Sequence, residues 1–313
     1  MITFDDYICF GISPSMLFPS SFDDELEHFS AIDRCCRLPG YRCFETFLPS
    51  NPALRREEIK RMKEYGKILN YNTPGYFQLE GDYNASSDDP SQRKHALEAM
   101  KLQIEYAAEA RCTLMVFTAT PDKGPEKRPT LIKRYEEFFL ECADLAGRYG
   151  MTAALEPIER GRYKNLILGP TAECAAFIKD MQRQGASNAR LILDVAHLPL
   201  MEETMEEALG YCMDAGMAHV HMGNAVTDPA SSFCGHTHPP IGVQYGCYDC
   251  PEIAAQLEML LRAGYIPSEP GAKRATISLE ARPYPGVSGL TSAQVMYEKM
   301  CAAFRDALEA VKK

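Results

Sequence analysis

The sequence RLILDVAH, at residues 190–197, is a short apolar run that ends in an acid and a histidine. Its leucine, isoleucine and valine side chains favour a buried β-strand, and the segment TMEEALGYCMDAG that follows has the spacing of an amphipathic helix. Strand followed by helix is the repeating unit of α/β barrels, whose functional side chains lie where the strands end. This segment therefore predicts both a fold and the place of its site.

The same unit recurs eight times along the chain. The predicted strands are 7–13, 42–49, 68–75, 113–120, 152–159, 190–197, 218–224 and 276–283. The predicted helices lie near 22–37, 55–67, 93–110, 131–150, 171–182, 204–216, 252–264 and 291–311. Strict alternation of this kind requires parallel strands joined by helical crossovers. A doubly wound open sheet is the alternative, but it usually has a glycine-rich turn after its first strand, and GISPSM is not such a turn. We predict a (β/α)8 TIM barrel that forms one domain over residues 1–313.

The composition limits the classes of function. The 33 basic and 43 acidic residues give a net charge of −10, which disfavours nucleic acid as the main partner. No stretch approaches the roughly 18 apolar residues of a membrane helix. The N-terminal sequence MITFDDYICFG has acids where a secretory signal has basic residues. Twelve cysteines scattered over a chain of this size indicate reduced thiols, and the CxxC at 247–250 reads as a loop before a helix. We expect a cytoplasmic protein.

Four side chains that can bind a metal follow one another at the ends of the last four strands. They are Glu156, Asp194, His221 and Glu280. A barrel brings the ends of its strands to one opening, so we expect these four side chains to converge. Three carboxylates and one imidazole form an oxygen-rich set that favours a hard divalent ion, with Mn first and Mg or Co as alternatives. The chain is therefore predicted to be an enzyme.

The sequence resembles the xylose isomerase-like TIM barrels, a superfamily of sugar isomerases, sugar epimerases and inosose dehydratases. The resemblance covers essentially the whole chain and rests on E-P at Glu156, D-x-x-H at 194–197, H-x-H-x-G-N at 219–224 and L-E at Glu280. It implies that the glutamate, aspartate, histidine and glutamate bind one divalent metal. It also implies that Glu156 and Glu280 exchange protons with a sugar, and that His197 contacts the substrate. The implied reaction removes a proton beside a carbonyl of a keto- or oxo-sugar and passes through an enediolate.

Five further side chains lie near these strand ends. His197 and Arg282 are predicted to contact the substrate, and a second metal is an alternative for His197. Glu159 is a candidate for substrate binding or acid/base chemistry, and Lys164 is a candidate substrate contact. His219 precedes His221 by two residues on the same face of the strand, so burial or support of the site is expected for it.

The segment 225–250 after the seventh strand is predicted to be an extended, ordered loop at the opening of the barrel. Long loops of this kind are usually functional. Its sequence resembles the loop of sugar phosphate isomerase-like barrels that include catalytic (alpha) subunits of C-glycoside deglycosidases, and His238 matches the loop histidine. Ala225, Cys234 and His236 depart from that pattern. The resemblance implies an alternative lyase reaction, β-elimination on a 3-oxo-C-glycoside, with a small all-β partner subunit.

Other functions remain as alternatives. An inosose-type dehydratase also begins by removing a proton beside a carbonyl. Apurinic endonucleases of the superfamily use further histidines from strands three and four, but here those strands end NYNTPG and VFTATPD without a histidine, which together with the net charge of −10 disfavours DNA repair. A sugar-binding protein without catalysis would need no metal ligands. We expect a small-molecule sugar or glycoside as substrate, neither nucleic acid nor membrane as partner, and a homo-oligomer unless a small beta subunit is required.

Overall fold

A computed structural model describes residues 3–161, 163–271 and 273–312 of the chain. Eight parallel strands form a closed barrel in sequence order, and the first strand pairs with the eighth. The strands are β1 (Ile8–Ile12), β2 (Cys43–Thr46), β3 (Ile68–Asn72), β4 (Leu114–Thr118), β5 (Thr152–Glu156), β6 (Ala189–Asp194), β7 (Met217–Met222) and β8 (Ala275–Leu279). The fold predicted from the sequence, a single-domain (β/α)8 barrel, is confirmed.

Each strand leads into a helix of the outer layer. These helices are α1 (Glu25–Cys36), α2 (Pro52–Glu64), α3 (Pro90–Glu109), α4 (Arg128–Arg148), α5 (Thr171–Arg183), α6 (Met205–Ala215), α7 (Cys250–Arg262) and α8 (Gly289–Val311). Short helical turns at Phe4–Tyr7, Pro14–Leu17 and Leu198–Met201 lie outside this layer. Asn51 shows why a helix begins where it does, because its Oδ1 accepts hydrogen bonds from the amides of Ala53 and Leu54.

The strands are shorter at their C-terminal ends than the sequence predicted. β6 ends at Asp194, so His197 lies in the following turn, and β8 ends at Leu279, so Glu280 is the first residue after it. The apolar pattern continues past these points, but the backbone leaves the ladder to form the opening. The predicted bounds were wrong there because periodicity does not report where hydrogen bonding between strands stops.

The interior of the barrel changes character from bottom to top. Inside the barrel, Leu114, Val116, Ala154 and Ile192 form a small apolar cluster, and a cavity lined by polar residues such as Thr152, Arg190 and Thr276 lies at the N-terminal ends of the strands. A much larger apolar core lies between the strands and the outer helices. Towards the C-terminal ends, the interior positions carry carboxylates and imidazoles. This layering places the group of carboxylates and imidazoles at the C-terminal end of the barrel.

The cysteines and the helix lengths can also be compared with the sequence predictions. All twelve cysteines carry free thiols, and Cys250 begins α7, as expected for the CxxC segment. Within residues 3–161, 163–271 and 273–312, no helix is both long and apolar enough to span a bilayer.

Candidate metal centre

The four predicted metal ligands converge at the C-terminal end of the barrel. Glu156 and Asp194 are the last residues of β5 and β6, His221 lies in β7, and Glu280 directly follows β8. One potential ligand atom from each lies within 4.8 Å of the others, and all four residues are buried. Adjacent parallel strands therefore deliver the side chains that the sequence places far apart.

The imidazole of His221 stands at the centre of this group. Its Nδ1 lies 2.8 Å from Glu156 Oε1, 2.9 Å from Glu280 Oε2 and 3.7 Å from Asp194 Oδ2. Burial alone would lower the pKa of His221, but the surrounding carboxylates outweigh burial and raise this pKa well above its usual value. Without a metal ion, the imidazolium form of His221 thus supplies the positive charge among these acids.

The donor set fits a bound divalent cation. Asp194 Oδ1 accepts a hydrogen bond from the amide of Ala196, which fixes the carboxylate. The other oxygen, Oδ2, is buried and has no hydrogen-bond partner among the described residues. His197 Nε2 lies 3.2 Å from this oxygen without the geometry of a hydrogen bond. An unpartnered carboxylate oxygen beside two other carboxylates and an imidazole is the chemistry of an oxygen-rich metal site.

The two glutamates of the group differ in their affinity for a proton. Burial raises the pKa of Glu156 above its usual value, and His221 only partly opposes this. For Glu280, burial is outweighed by His238 and His221, so its pKa is lowered. Carboxyl groups whose pKa values are pushed apart in one site can act as acid and base. This difference therefore suits proton transfer.

A second polar group lies next to the first. Glu159 is buried, and its carboxylate lies 3.3 Å from His197 Nδ1 and 3.0 Å from His236 Nδ1. His238 completes the group, with its ring nearly perpendicular to those of His197 and His236. Burial would raise the pKa of Glu159, but the two histidines hold it below its usual range. Glu159 lies behind the histidines instead of on the cavity wall.

These histidines are arranged for hydrogen bonding to a ligand. The rings of His197 and His236 are stacked, with an angle of 15° between their planes and 4.7 Å between their centroids. One ring nitrogen from each of His197, His236 and His238 lies within 4.8 Å of the others, so these histidines could also hold a metal ion. Burial lowers the pKa of His236 to about 4, whereas nearby carboxylates outweigh burial and raise that of His197 to about 9. The pair therefore offers one neutral and one cationic ring.

The loop after β7 is pinned by Asn224. Its buried amide donates to Pro240 O, and its carbonyl accepts from the amides of Ala225 and Tyr248. His238 is held on the loop by a hydrogen bond from the amide of Arg282 to its carbonyl oxygen. The φ angle of His238 is 47°, which is uncommon for a residue with a side chain. Its Nδ1 is buried without a hydrogen-bond partner in the part of the chain that the structure describes. The loop thus aims a constrained, unpaired imidazole at the site.

A cavity of about 290 Å³ opens over both polar groups. Glu156, Glu280, His197 and His238 line it, and the exposed side chain of Arg282 stands at its rim. Lys164 also lines the cavity, where its Nζ donates to Gln78 Oε1. Small-molecule sites occupy about 300–1,000 Å³, so this cavity suits a compact ligand.

Sequence reasoning missed Glu45 in β2. Its carboxylate lies 2.8 Å from His221 Nε2 and 3.0 Å from His219 Nε2. Burial would raise the pKa of Glu45, but the two histidines lower it below its usual range. A signal was present in the sequence, because a glutamate inside the apolar run CFETF must find partners when it is buried. His219 is buried beside it, in keeping with the supporting place expected for it.

Comparison with known proteins agrees with this geometry. The sequence profile described as xylose isomerase-like TIM barrel matches residues 33–278. No curated protein matches the chain. Solved structures with the same fold include an L-ribulose 3-epimerase, with 19% identity, 97% of this chain and 95% of that chain covered, and a TM-score of 0.68.

Two further solved structures are similar over nearly their whole length. A D-psicose 3-epimerase from Clostridium cellulolyticum H10 has 16% identity, 96% and 99% coverage of this chain and that chain, and a TM-score of 0.63. A 3-keto-D-glucoside 4-epimerase from E. coli has 17% identity, 95% and 98% coverage, and a TM-score of 0.64. Identities this low support the fold, and the profile match supplies the family. The chain belongs to the xylose isomerase-like TIM barrel family.

Proposed function

We propose that this protein is a divalent-metal-dependent sugar isomerase or epimerase. It removes and returns a proton on a carbon beside a carbonyl of a keto- or oxo-sugar, through an enediolate. One observation carries the proposal: Glu156 and Glu280 flank a single four-donor cluster and both line one small cavity. The three structural relatives bear names of sugar epimerases, which supports the same class of substrate for this chain.

Glu156, Asp194, His221 and Glu280 would hold one divalent ion, with Mn favoured and Mg or Co as alternatives. When bound, such an ion polarises a sugar carbonyl and a neighbouring hydroxyl, which acidifies the carbon between or beside them. The four donor residues are acids and one histidine, with no cysteine among them, so a structural zinc site is disfavoured.

Proton transfer is assigned to the two glutamates. Glu156 Oε1 and Glu280 Oε2 face His221, which leaves Oε2 of Glu156 and Oε1 of Glu280 to meet a substrate. The lowered pKa of Glu280 suits the base that takes the proton, and the raised pKa of Glu156 suits the acid that returns one. The roles exchange in the reverse reaction.

Substrate contacts are assigned to the second polar group and the rim. His197 and His238 line the cavity and would bind sugar oxygens, and Arg282 and Lys164 would do so from the edge. Glu159 would act through His197 and His236, because its carboxylate holds both rings. Glu159 would therefore support the substrate-binding histidines and would not make the direct substrate contact that the sequence had suggested.

A lyase remains as a second candidate, supported by His238. Burial lowers the pKa of the His238 imidazole beside Glu280, and its Nδ1 has no partner among the described residues, so this ring could act as the base that takes a proton in β-elimination from a 3-oxo-C-glycoside. A small beta subunit would accompany that reaction, whereas the epimerase is proposed to be a homo-oligomer. The inosose-type dehydratase is a third outcome. Free cysteines throughout the chain favour a reducing compartment, so we assign the protein to the cytoplasm.

The test incubates Mn-loaded protein in deuterated water with ketoses, 3-oxo-glycosides and inososes, and follows each carbon by NMR. Deuterium at a carbon beside the carbonyl, with an epimer or isomer as product, supports the proposal. Release of an aglycone identifies the lyase, and loss of water identifies the dehydratase. A protein that binds sugar but exchanges no proton with any of the three classes is a binding protein, and the proposal is then wrong.

A further inference from the structure

Glu45 is a buried carboxylate that the proposed reaction does not use. It comes from β2, which pairs with none of the strands that carry the proposed metal ligands, and is only 2% exposed. A buried charge is costly unless it is paired. Here each carboxylate oxygen meets one ring from β7, Oε1 at 2.8 Å from His221 Nε2 and Oε2 at 3.0 Å from His219 Nε2.

This contact decides which nitrogen of His221 can bind a metal. An ionised carboxylate only accepts hydrogen bonds, so the Nε2 of His221 carries the proton and donates it to Glu45. The lone pair of the neutral ring then sits on Nδ1. That atom faces Glu156 at 2.8 Å and Glu280 at 2.9 Å, which is the side where the ligand atoms converge.

His219 fixes Glu45 in turn. Its Nε2 lies 3.0 Å from both Glu45 Oε2 and Ser278 Oγ, and its Nδ1 lies 3.0 Å from Thr276 Oγ1. Two hydroxyls of β8 therefore hold the ring that holds the carboxylate. The resulting network crosses the interior of the barrel from β8 through β7 to β2.

We propose that Glu45 is a positioning residue that fixes the tautomer of His221 and makes its Nδ1 the metal-binding atom. The inference rests on the proposed metal centre. Partners of this kind orient the ring and strengthen it as a ligand, and their loss typically costs about 10- to 100-fold in metal affinity. Glu45 itself touches neither the ion nor the substrate in this assignment.

The experiment measures the affinity of metal-free protein for Mn²⁺ by calorimetry, in the wild type and in Glu45→Gln. The amide keeps the shape but loses the charge, and its NH2 group turns a donor towards a histidine. We expect Glu45→Gln to weaken Mn²⁺ binding about 10- to 100-fold. The visible spectrum of the Co²⁺-loaded protein should change as well, because the geometry around the ion changes.

The chain offers a matched control. Glu58 is also fully buried and lies 2.8 Å from a histidine, His28 Nδ1, in the helical layer outside the barrel. Glu58→Gln should lower the melting temperature of the metal-free protein without changing the Mn²⁺ affinity. If Glu45→Gln behaves in the same way, with unchanged affinity and an unchanged Co²⁺ spectrum, Glu45 only stabilises the fold and the inference is wrong.

A second variant covers the case in which Glu45→Gln does not fold. Glu45→Asp keeps the charge on a shorter side chain. If both variants fold, we expect its Mn²⁺ affinity to lie between those of the wild type and Glu45→Gln. If only Glu45→Asp folds, we expect it to bind Mn²⁺ more weakly than the wild type does. If both Glu45→Asp and Glu45→Gln bind Mn²⁺ with wild-type affinity, this inference is wrong but the proposed metal centre is unaffected. Absence of Mn²⁺, Mg²⁺ and Co²⁺ binding to the wild type overturns the proposed metal centre, and this inference with it.

Discussion

The two halves of the barrel opening differ sharply in chemistry. The half formed by β5 to β8 and their loops lines the cavity with ionisable side chains, namely Glu156, Lys164, His197, His236, His238, Glu280 and Arg282. The half formed by β1 to β3 lines it with Ser13, Ser15, Met16, Phe22, Glu45, Thr46, Phe47, Asn72, Thr73, Gly75 and Gln78. Only one of these, Glu45, is ionisable, and its carboxylate is held by His219 and His221.

Under the proposed function, this division separates two tasks within one cavity. Charged groups that hold an ion and move protons must lie together, because their pKa values depend on one another. Hydroxyl, amide and aromatic groups can bind a sugar without disturbing that balance. We therefore expect substitutions in the β5–β8 half to affect chemistry, and substitutions in the β1–β3 half to affect binding.

The largest effect is expected for Glu156→Gln. The amide cannot donate or accept the transferred proton and is a weaker metal ligand, so deuterium exchange into the substrate should slow about 10³-fold, within the range of general acid–base catalysis. The measurement is the rate of exchange by NMR at saturating metal. Glu58→Gln, at a buried glutamate that does not line the cavity, should keep the wild-type rate.

Unchanged activity and unchanged metal content in Glu156→Gln would remove this residue from both assigned roles. Loss of metal with exchange restored at high Mn²⁺ would leave it as a ligand only. Either result would weaken the contrast between the two halves, because the charged half would then contain a carboxylate without a part in chemistry.

The charged half could be read from the sequence, and the neutral half could not. Glu156, Asp194, His221 and Glu280 each end an apolar run, and parallel strands bring such positions to one opening. The closed barrel was predicted on the same grounds. The convergence of the four side chains followed from the fold, while their roles stay proposals.

Serine, threonine and asparagine after strands one to three are ordinary loop residues, so Ser15 and Asn72 carried no signal. Glu45 was missed for a different reason. Glu45 lies inside a strand and not at its end, and its role depends on partners from β7 that are more than 170 residues away in the sequence. The apolar run around Glu45 indicates that this residue is buried, but its partners are set by the tertiary structure and leave no local pattern.

The second effect concerns the stability of the metal-free protein at alkaline pH. Nearby carboxylates raise the pKa of His197 from 6.5 to about 9, so the imidazolium form is favoured in the folded state. This contribution, on the order of 3 kcal/mol, is complete below pH 6.5 and is lost as the pH rises through about 9. Thermal unfolding of metal-free protein between pH 6.5 and 10 should show the decline.

His197→Gln sharpens this measurement, because its stability should depend less on pH over the same interval. Equal slopes for the variant and the wild type would show that His197 is not charged in the folded protein. The charged half would then be less strongly coupled than its geometry indicates.

The third effect concerns the loop that supplies His236 and His238. Asn224→Ala removes three buried hydrogen bonds that pin this loop, and we expect a loss of about 2 kcal/mol in the free energy of unfolding. The KM for substrate should rise because the histidines are no longer held over the cavity. Asn188→Ala is the matched control, since the side chain of Asn188 also forms hydrogen bonds to the backbone, in its case to two carbonyls, but does not line the cavity. A similar rise in KM for both variants would show a general loss of stability instead.

The smallest effect is expected in the neutral half, from Ser15→Ala. Ser15 lines the cavity, and its Oγ forms a 3.3 Å hydrogen bond with Thr46 Oγ1, a bond that either hydroxyl can donate, so one of the two can also bond to a sugar hydroxyl. Losing one such hydrogen bond costs about 1 kcal/mol, so KM should rise about fivefold while kcat stays unchanged. Ser21→Ala, at a buried serine outside the cavity, should change neither constant. A fall in kcat with unchanged KM would place Ser15 in the chemistry, and the opening could no longer be divided into a reacting half and a binding half.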